Sequence, residues 1–274
     1  MRYIKQSFKY IYKNGLVLLL FSLVPAIFYG GLLSPFKFIE FINNYSNLTV
    51  LNFGDIFFSI IEISWLKLLY YVFAFILFGV FFSIIIGIIE NHFRSGKNNY
   101  SNIKAYINNN ITSVLINIIL LFLINFVLSF LSSVLIYLFH VLLVGLNTTP
   151  SLACIIIAIL IFVIYFCVSM SLGLVFMLNV PTMMQNGYLF KQSISNTINA
   201  IGNNYFNLIL AYLAPYLVII PLISIFSFST ILIKIINMIL ALGLIIYYSA
   251  FVMVAYYDIN NLPRYDNRKY YTIK

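Results

Sequence analysis

Charge is what this 274-residue chain has least of: six carboxylates and fifteen lysines and arginines make 8% of it, against 63% hydrophobic residues. A water-facing domain carries about a quarter charged residues, so the composition excludes a soluble globular fold and assigns the excess apolar area to lipid. Cysteine is nearly absent too. Cys154 and Cys167 lie thirteen residues apart in one apolar run, about 20 Å at the helical rise. That excludes a disulfide between them and leaves them as small apolar fillers. Histidine is limited to His92 and His140. Only Glu90 stands at ligand spacing from either, so no metal site is expected. The chain has no glycine-rich phosphate loop, and no serine or cysteine comes with a base and an orienting group at a known spacing. ATP-driven and nucleophilic chemistry, and a cofactor, are therefore not expected.

What is present is a set of long apolar runs. A hydrocarbon core of about 30 Å takes about twenty helical residues, and six segments meet that rule: 15–33, 66–89, 111–139, 152–180, 206–228 and 235–257. The fold class expected is all-α, a single integral membrane domain of six transmembrane helices with both termini on one side. Arg2 and Lys5 ahead of the first run have the look of a secretory leader. No small-x-small cleavage pattern follows, so the first span is expected to be permanent.

The fifteen cations sort onto this layout. Arg2, Lys5, Lys9 and Lys13, then Arg94, Lys97 and Lys104, then Lys191, then Arg264, Arg268, Lys269 and Lys274 fall on one side. Only Lys37, Lys67 and Lys234 fall on the other. The positive-inside rule makes the rich side cytosolic, giving a multi-pass plasma-membrane protein with cytosolic termini. The composition suggests an AT-rich bacterial source. The net charge of +9 is spread beside apolar spans rather than over one continuous surface, so the partners expected are membrane lipids or another protein, and not nucleic acid. Lys67 and Lys234, at span edges, are expected to snorkel.

The segments between spans carry pattern of their own. Residues 2–14, 98–110 and 188–204 read as amphipathic cytosolic surface helices, each followed by a span out and a span in. In the third, Phe190, Ile194, Ile198, Ile201 and Tyr205 share a stripe. Three copies of one unit are thereby suggested, supported by the paired Lys5-Gln6-Ser7 and Lys191-Gln192-Ser193 and by Pro25 and Pro215 in the spans that follow. The outer loop 34–65 is rich in Phe and Ile and reads as an interfacial cap, or a re-entrant loop. Asn47 and Asn147 head sequons of no weight. Pro181 is expected to end the fourth span, and Pro25, Pro215 and Pro221 to kink or open theirs.

Two groups of residues are candidates for chemistry. Glu90, His92, Arg94 and Lys97 stand together where the second span leaves the membrane, and suit a lipid headgroup or other anion: Arg94 offers bidentate contacts and Lys97 a point charge. Inside the bilayer Asn125, Ser129, Ser132 and Ser133 form a polar stripe on the third span, for interhelical hydrogen bonding or a polar pathway. Asn117, Ser169, Ser171, Asn237 and Ser249 are further polar positions within spans.

The Ile89 to Lys97 segment, with its H-x-R-x-G-K core, and the stretch from Pro181 to Tyr205 carry a family resemblance. The chain resembles a group of uncharacterised bacterial six-span membrane proteins, among them the membrane domain attached to some glycerophosphodiester phosphodiesterases. The resemblance implies a lipid-facing membrane module and supplies no catalytic residue. Three readings follow: a non-enzymatic membrane protein whose basic face contacts anionic lipid or a partner, a small-molecule or lipid transporter, and a lipid-modifying enzyme built on Glu90 and His92. The last requires those two side chains to converge.

Overall fold

The computed structural model describes residues 2–32, 52–61, 68–97, 100–145, 151–187, 189–202, 204–226 and 230–265. Outside them lie most of the outer loop with Lys37, Asn47 and Trp65, together with Lys67, Asn147 and the tail cations Arg268, Lys269 and Lys274. The described residues form helices α1 (Arg2–Leu32), α2 (Phe53–Ile61), α3 (Leu68–Ser95), α4 (Ile103–Gly145), α5 (Ser151–Asn186), α6 (Phe190–Gly202), α7 (Tyr205–Leu213), α8 (Tyr216–Phe226) and α9 (Thr230–Ile259), with no strand among them. Six segments are long and apolar enough to cross a membrane, as the sequence requires, the fifth being made of α7 and α8. The protein is an all-α, multi-pass membrane protein.

Surface and span are less separate than the sequence suggests. Residues 2–14 continue into the first span as one helix of 31 residues, and α4 runs unbroken for 43. At 1.5 Å per residue α4 is about 65 Å long, twice a hydrocarbon core. Only the third surface segment, α6, is a helix by itself. Pro181 does not end the fourth span: α5 passes through it to Asn186. A proline forfeits one backbone hydrogen bond, and here the stop comes later, at Gly187. Gly187 has φ 61° and its N–H reaches the Met183 carbonyl at 3.1 Å, a left-handed cap that a glycine makes at least cost.

The chain divides into two compact units: one of residues 1–32, 72–119 and 173–274, the other of 33–71 and 120–172. In the first, α3 and α9 are central. Residues 82–89 of α3 and 247–257 of α9 are buried without interruption, the signature of a helix surrounded on every side. Small residues let the backbones meet. On α3, Gly79, Ser83 and Gly87 recur every fourth residue, and a Cβ on Gly87 would stand 2.6 Å from the Tyr106 ring of α4. Between them Asn110 donates to the Ser83 carbonyl at 3.2 Å. On α1, Ser22, Ala26 and Gly30 form a second such stripe, and a Cβ on Gly30 would lie 2.5 Å from Met238 Cα of α9. At the opposite end of this antiparallel pair Arg2 binds Asp258 at 2.5 Å, so the start of α1 and the end of α9 lie together.

The second unit is smaller. Helix α2, the described part of the outer loop, buries Ile56 and Ile60 in a cluster with Ile136, Cys154 and Ala158. Phe57 meets Phe126 and Phe130 edge-on. Cys154 is thus the apolar filler its position suggests; Cys167 is exposed.

Candidate functional site

The first unit gathers at one end the start of α1, the last turns of α3, α5 and α9, and helix α6. This end holds nine of the ten described cations: Arg2, Lys5, Lys9, Lys13, Arg94, Lys97, Lys104, Lys191 and Arg264; Lys234 is the tenth. Its interior is aromatic. Tyr10 of α1 lies edge-on to Phe93 at 5.0 Å, and Phe93 edge-on to Tyr257 of α9 at 5.1 Å. The chain turns back beneath this cluster through Asn261, at φ 52°, with the Leu262 N–H bonded to the Tyr257 carbonyl at 2.8 Å, a Schellman ending. The turn carries Arg264 inward. The residue is 95% buried, and its guanidinium lies 4.5 Å from the Phe93 ring centre and donates to Gln6 at 3.2 Å. A cation–π contact in so dry a place is worth about 2 kcal/mol, and Arg264 is therefore part of the core here.

The residues singled out by sequence divide between two neighbours. Glu90 pairs with Arg94 one turn on, at 2.9 Å, and Arg94 also donates to Gln185 of α5. Tyr257 adjoins the same group. His92 faces elsewhere, its ring 5.6 Å from that of Tyr10 on α1. Glu90 and His92 thus look toward different helices, so the convergence that acid–base work requires is not met at this pair. Lys97 is exposed in the turn after α3, where its own carbonyl accepts from Asn91 at 3.0 Å. Three of the four members of the stripe form an ordinary helix contact: Ser129 donates to the Asn125 carbonyl at 2.7 Å and approaches Tyr165 of α5 at 3.1 Å, while Ser133 donates to the Ser129 carbonyl at 2.6 Å. Ser129 and Ser133 are buried; Ser132 is half-exposed.

The densest polar cluster escaped the sequence reading. Asn179 of α5 is fully buried; its carbonyl oxygen accepts from Ser193 at 2.6 Å and Thr197 at 3.2 Å, both on α6. Its amide donates to Asn117 of α4 at 2.8 Å. Thr197 also meets Thr182 at 3.1 Å. These bonds make the buried stripe of α6 Ser193, Thr197 and Ile201, while Ile198 of the expected apolar stripe is 53% exposed. The signal was available: Asn110, Ser113 and Asn117, Asn179 and Thr182, and Ser193 and Thr197 each recur at helical spacing of three or four.

The fifth span is interrupted near its middle, between α7 and α8, where Ala214 and Pro215 form a turn. Proline lacks the N–H that would reach the Ala211 carbonyl. Tyr247 of α9 supplies the missing donor, its hydroxyl 2.6 Å from that oxygen, and Tyr248 donates to the next carbonyl, Tyr212, at 2.9 Å. Broken spans mark solute sites in transporters; at this one the two carbonyls are already occupied by tyrosines. No protein-family model, curated protein or solved structure matches the chain.

Proposed function

We propose that this protein is a non-catalytic membrane module whose basic end faces the cytosol and gathers anionic phospholipid headgroups. One observation carries the reading. Lys5, Lys9, Lys13, Lys97, Lys104 and Lys191 are all exposed at one end, and the two ion pairs found among the described residues take only Arg2 and Arg94. Lysines that served the fold would be buried or paired, as Arg264 is. These project from the faces opposite the packing. On α1, Tyr3, Ser7 and Tyr10 are buried while Lys5, Lys9 and Lys13 point away. A cation near an anionic leaflet contributes about 1 kcal/mol, so six acting together would concentrate acidic lipid strongly. The cytosolic assignment, and with it a bacterial plasma membrane, rests on the same lopsided charge.

The test is the composition of lipid that co-purifies with the full chain from a membrane of known phosphatidylglycerol content, at low and high salt. Enrichment of phosphatidylglycerol above the bulk is expected, weakening as salt screens the lysines. Retained lipid that mirrors the bulk at low salt would overturn the proposal.

A further inference from the structure

Helix α1 has a face that no other described helix of its unit covers. Leu16, Val17, Leu20 and Phe21 line a groove of about 400 Å³, and Tyr100, from the turn between α3 and α4, forms its other wall. Leu16 and Leu20 are 86% and 64% exposed. At about 30 Å³ per water-sized group, the groove holds roughly a dozen methylenes, the greater part of one acyl chain.

The register of α1 decides what would fill it. Val17 and Lys13 stand four residues apart, as do Lys13 and Lys9, so on a helix all three lie above one another on one face. That face therefore passes from charge to apolar groove within a few turns. From Lys13 to Leu20 the rise is about 10 Å, the order of the step from a headgroup to the upper part of a chain. More positive charge is tethered nearby. Lys97 is three residues before Tyr100 and Lys104 four after, so their backbones lie within about 11 and 14 Å of it. Tyr12, 93% exposed beside Lys13, is the amphipathic aromatic that favours the headgroup level.

We infer that this face of α1 is a site for one molecule of an anionic glycerophospholipid, its phosphate at Lys9 and Lys13 and one acyl chain in the groove between α1 and Tyr100. The inference deepens the reading given under Proposed function and rests on it. In a bilayer a chain gains no hydrophobic energy by leaving other chains, so shape retains it and the lysines select it.

Native mass spectrometry of the full chain in detergent, titrated with phosphatidylglycerol or phosphatidylcholine, tests it. A first phosphatidylglycerol adduct should saturate well before any phosphatidylcholine adduct. Lys9→Gln with Lys13→Gln should weaken that adduct on the order of thirty-fold, the factor for two cations at an anionic surface. Leu20→Trp, which fills the groove and leaves every charge in place, should abolish it, and Lys234→Gln, on α9 and outside the basic end, should leave it unchanged. Tyr100→Ala, which opens the wall, guards against a misfolded tryptophan variant and should shorten retention. Equal binding of the two lipids would remove the general reading as well. A phosphatidylglycerol preference that survives both Leu20→Trp and Tyr100→Ala would overturn the groove alone. So would a protein dimer, lipid-free, that Leu20→Trp disrupts, since a second copy would then be the occupant.

Discussion

Tyr247 and Pro215 should be energetically coupled although neither is charged and Pro215 lies in the turn between α7 and α8 while Tyr247 belongs to α9. Pro215 leaves the Ala211 carbonyl without its helical donor, and the Tyr247 hydroxyl fills that role at 2.6 Å in a buried setting. Tyr247→Phe keeps the ring, which stacks on Phe251 and tilts against Phe8, and removes only the donor. A buried carbonyl stripped of its partner costs about 1–3 kcal/mol, with membrane interiors toward the lower end, so a loss of about 1–2 kcal/mol is expected. In a Pro215→Ala background residue 215 has an N–H able to close the helical bond to Ala211, and the same Tyr247→Phe change should cost less than half as much. Tyr248→Phe is the internal control. Its acceptor is the Tyr212 carbonyl, which Pro215 does not orphan, so its cost should be similar in both backgrounds. Reversible unfolding in mixed micelles with rising dodecyl sulfate measures all five variants. Independent sites add to within about 0.3–0.5 kcal/mol. A Tyr247→Phe cost unchanged by Pro215→Ala to that precision would refute the account of the break.

Gly30→Ala should be severely destabilising, because its methyl group would meet the backbone of α9 at Met238 rather than a yielding side chain. Overpacking of this kind costs about 1–3 kcal/mol or more, read by the same unfolding titration, whereas Gly202→Ala, with nothing within 4 Å, should be almost neutral. Asn179→Ala should release α6 from α5. Hydrogen exchange across 190–202 should quicken while that of 151–172 stays as it was, since Ser193 and Thr197 lose the acceptor that ties them to the neighbouring helix.

How much of this was legible depends on which physics wrote the pattern. The six spans follow from composition and length alone, because lipid tolerates only long apolar helices, and the lopsided lysines follow from counting charges against those spans. Which helix is central does not. The last third of α9 reads as one more apolar span with a run of tyrosines, and only packing shows it enclosed on every side. Pro181 and Pro215 have identical chemistry in the sequence, yet α5 runs on through one and the fifth span breaks at the other. At Pro215 the carbonyl the proline abandons is met by a tyrosine from another helix. That partner is 32 residues away, and no local rule names it.

The arginines and the lysines of the basic end differ in what they bind. Counted by sequence they are one charge pattern, all serving orientation. The structure gives Arg2, Arg94 and Arg264 fixed partners: a carboxylate, a carboxylate with an amide, and an aromatic ring with an amide. Among the described residues the lysines have none of these. A planar guanidinium with several donors is suited to joining elements at fixed geometry, and a hydrated ammonium on a flexible stem to a mobile surface charge. At this end of the molecule the arginines therefore tie helix ends to one another, which leaves the lysines with their charge turned outward.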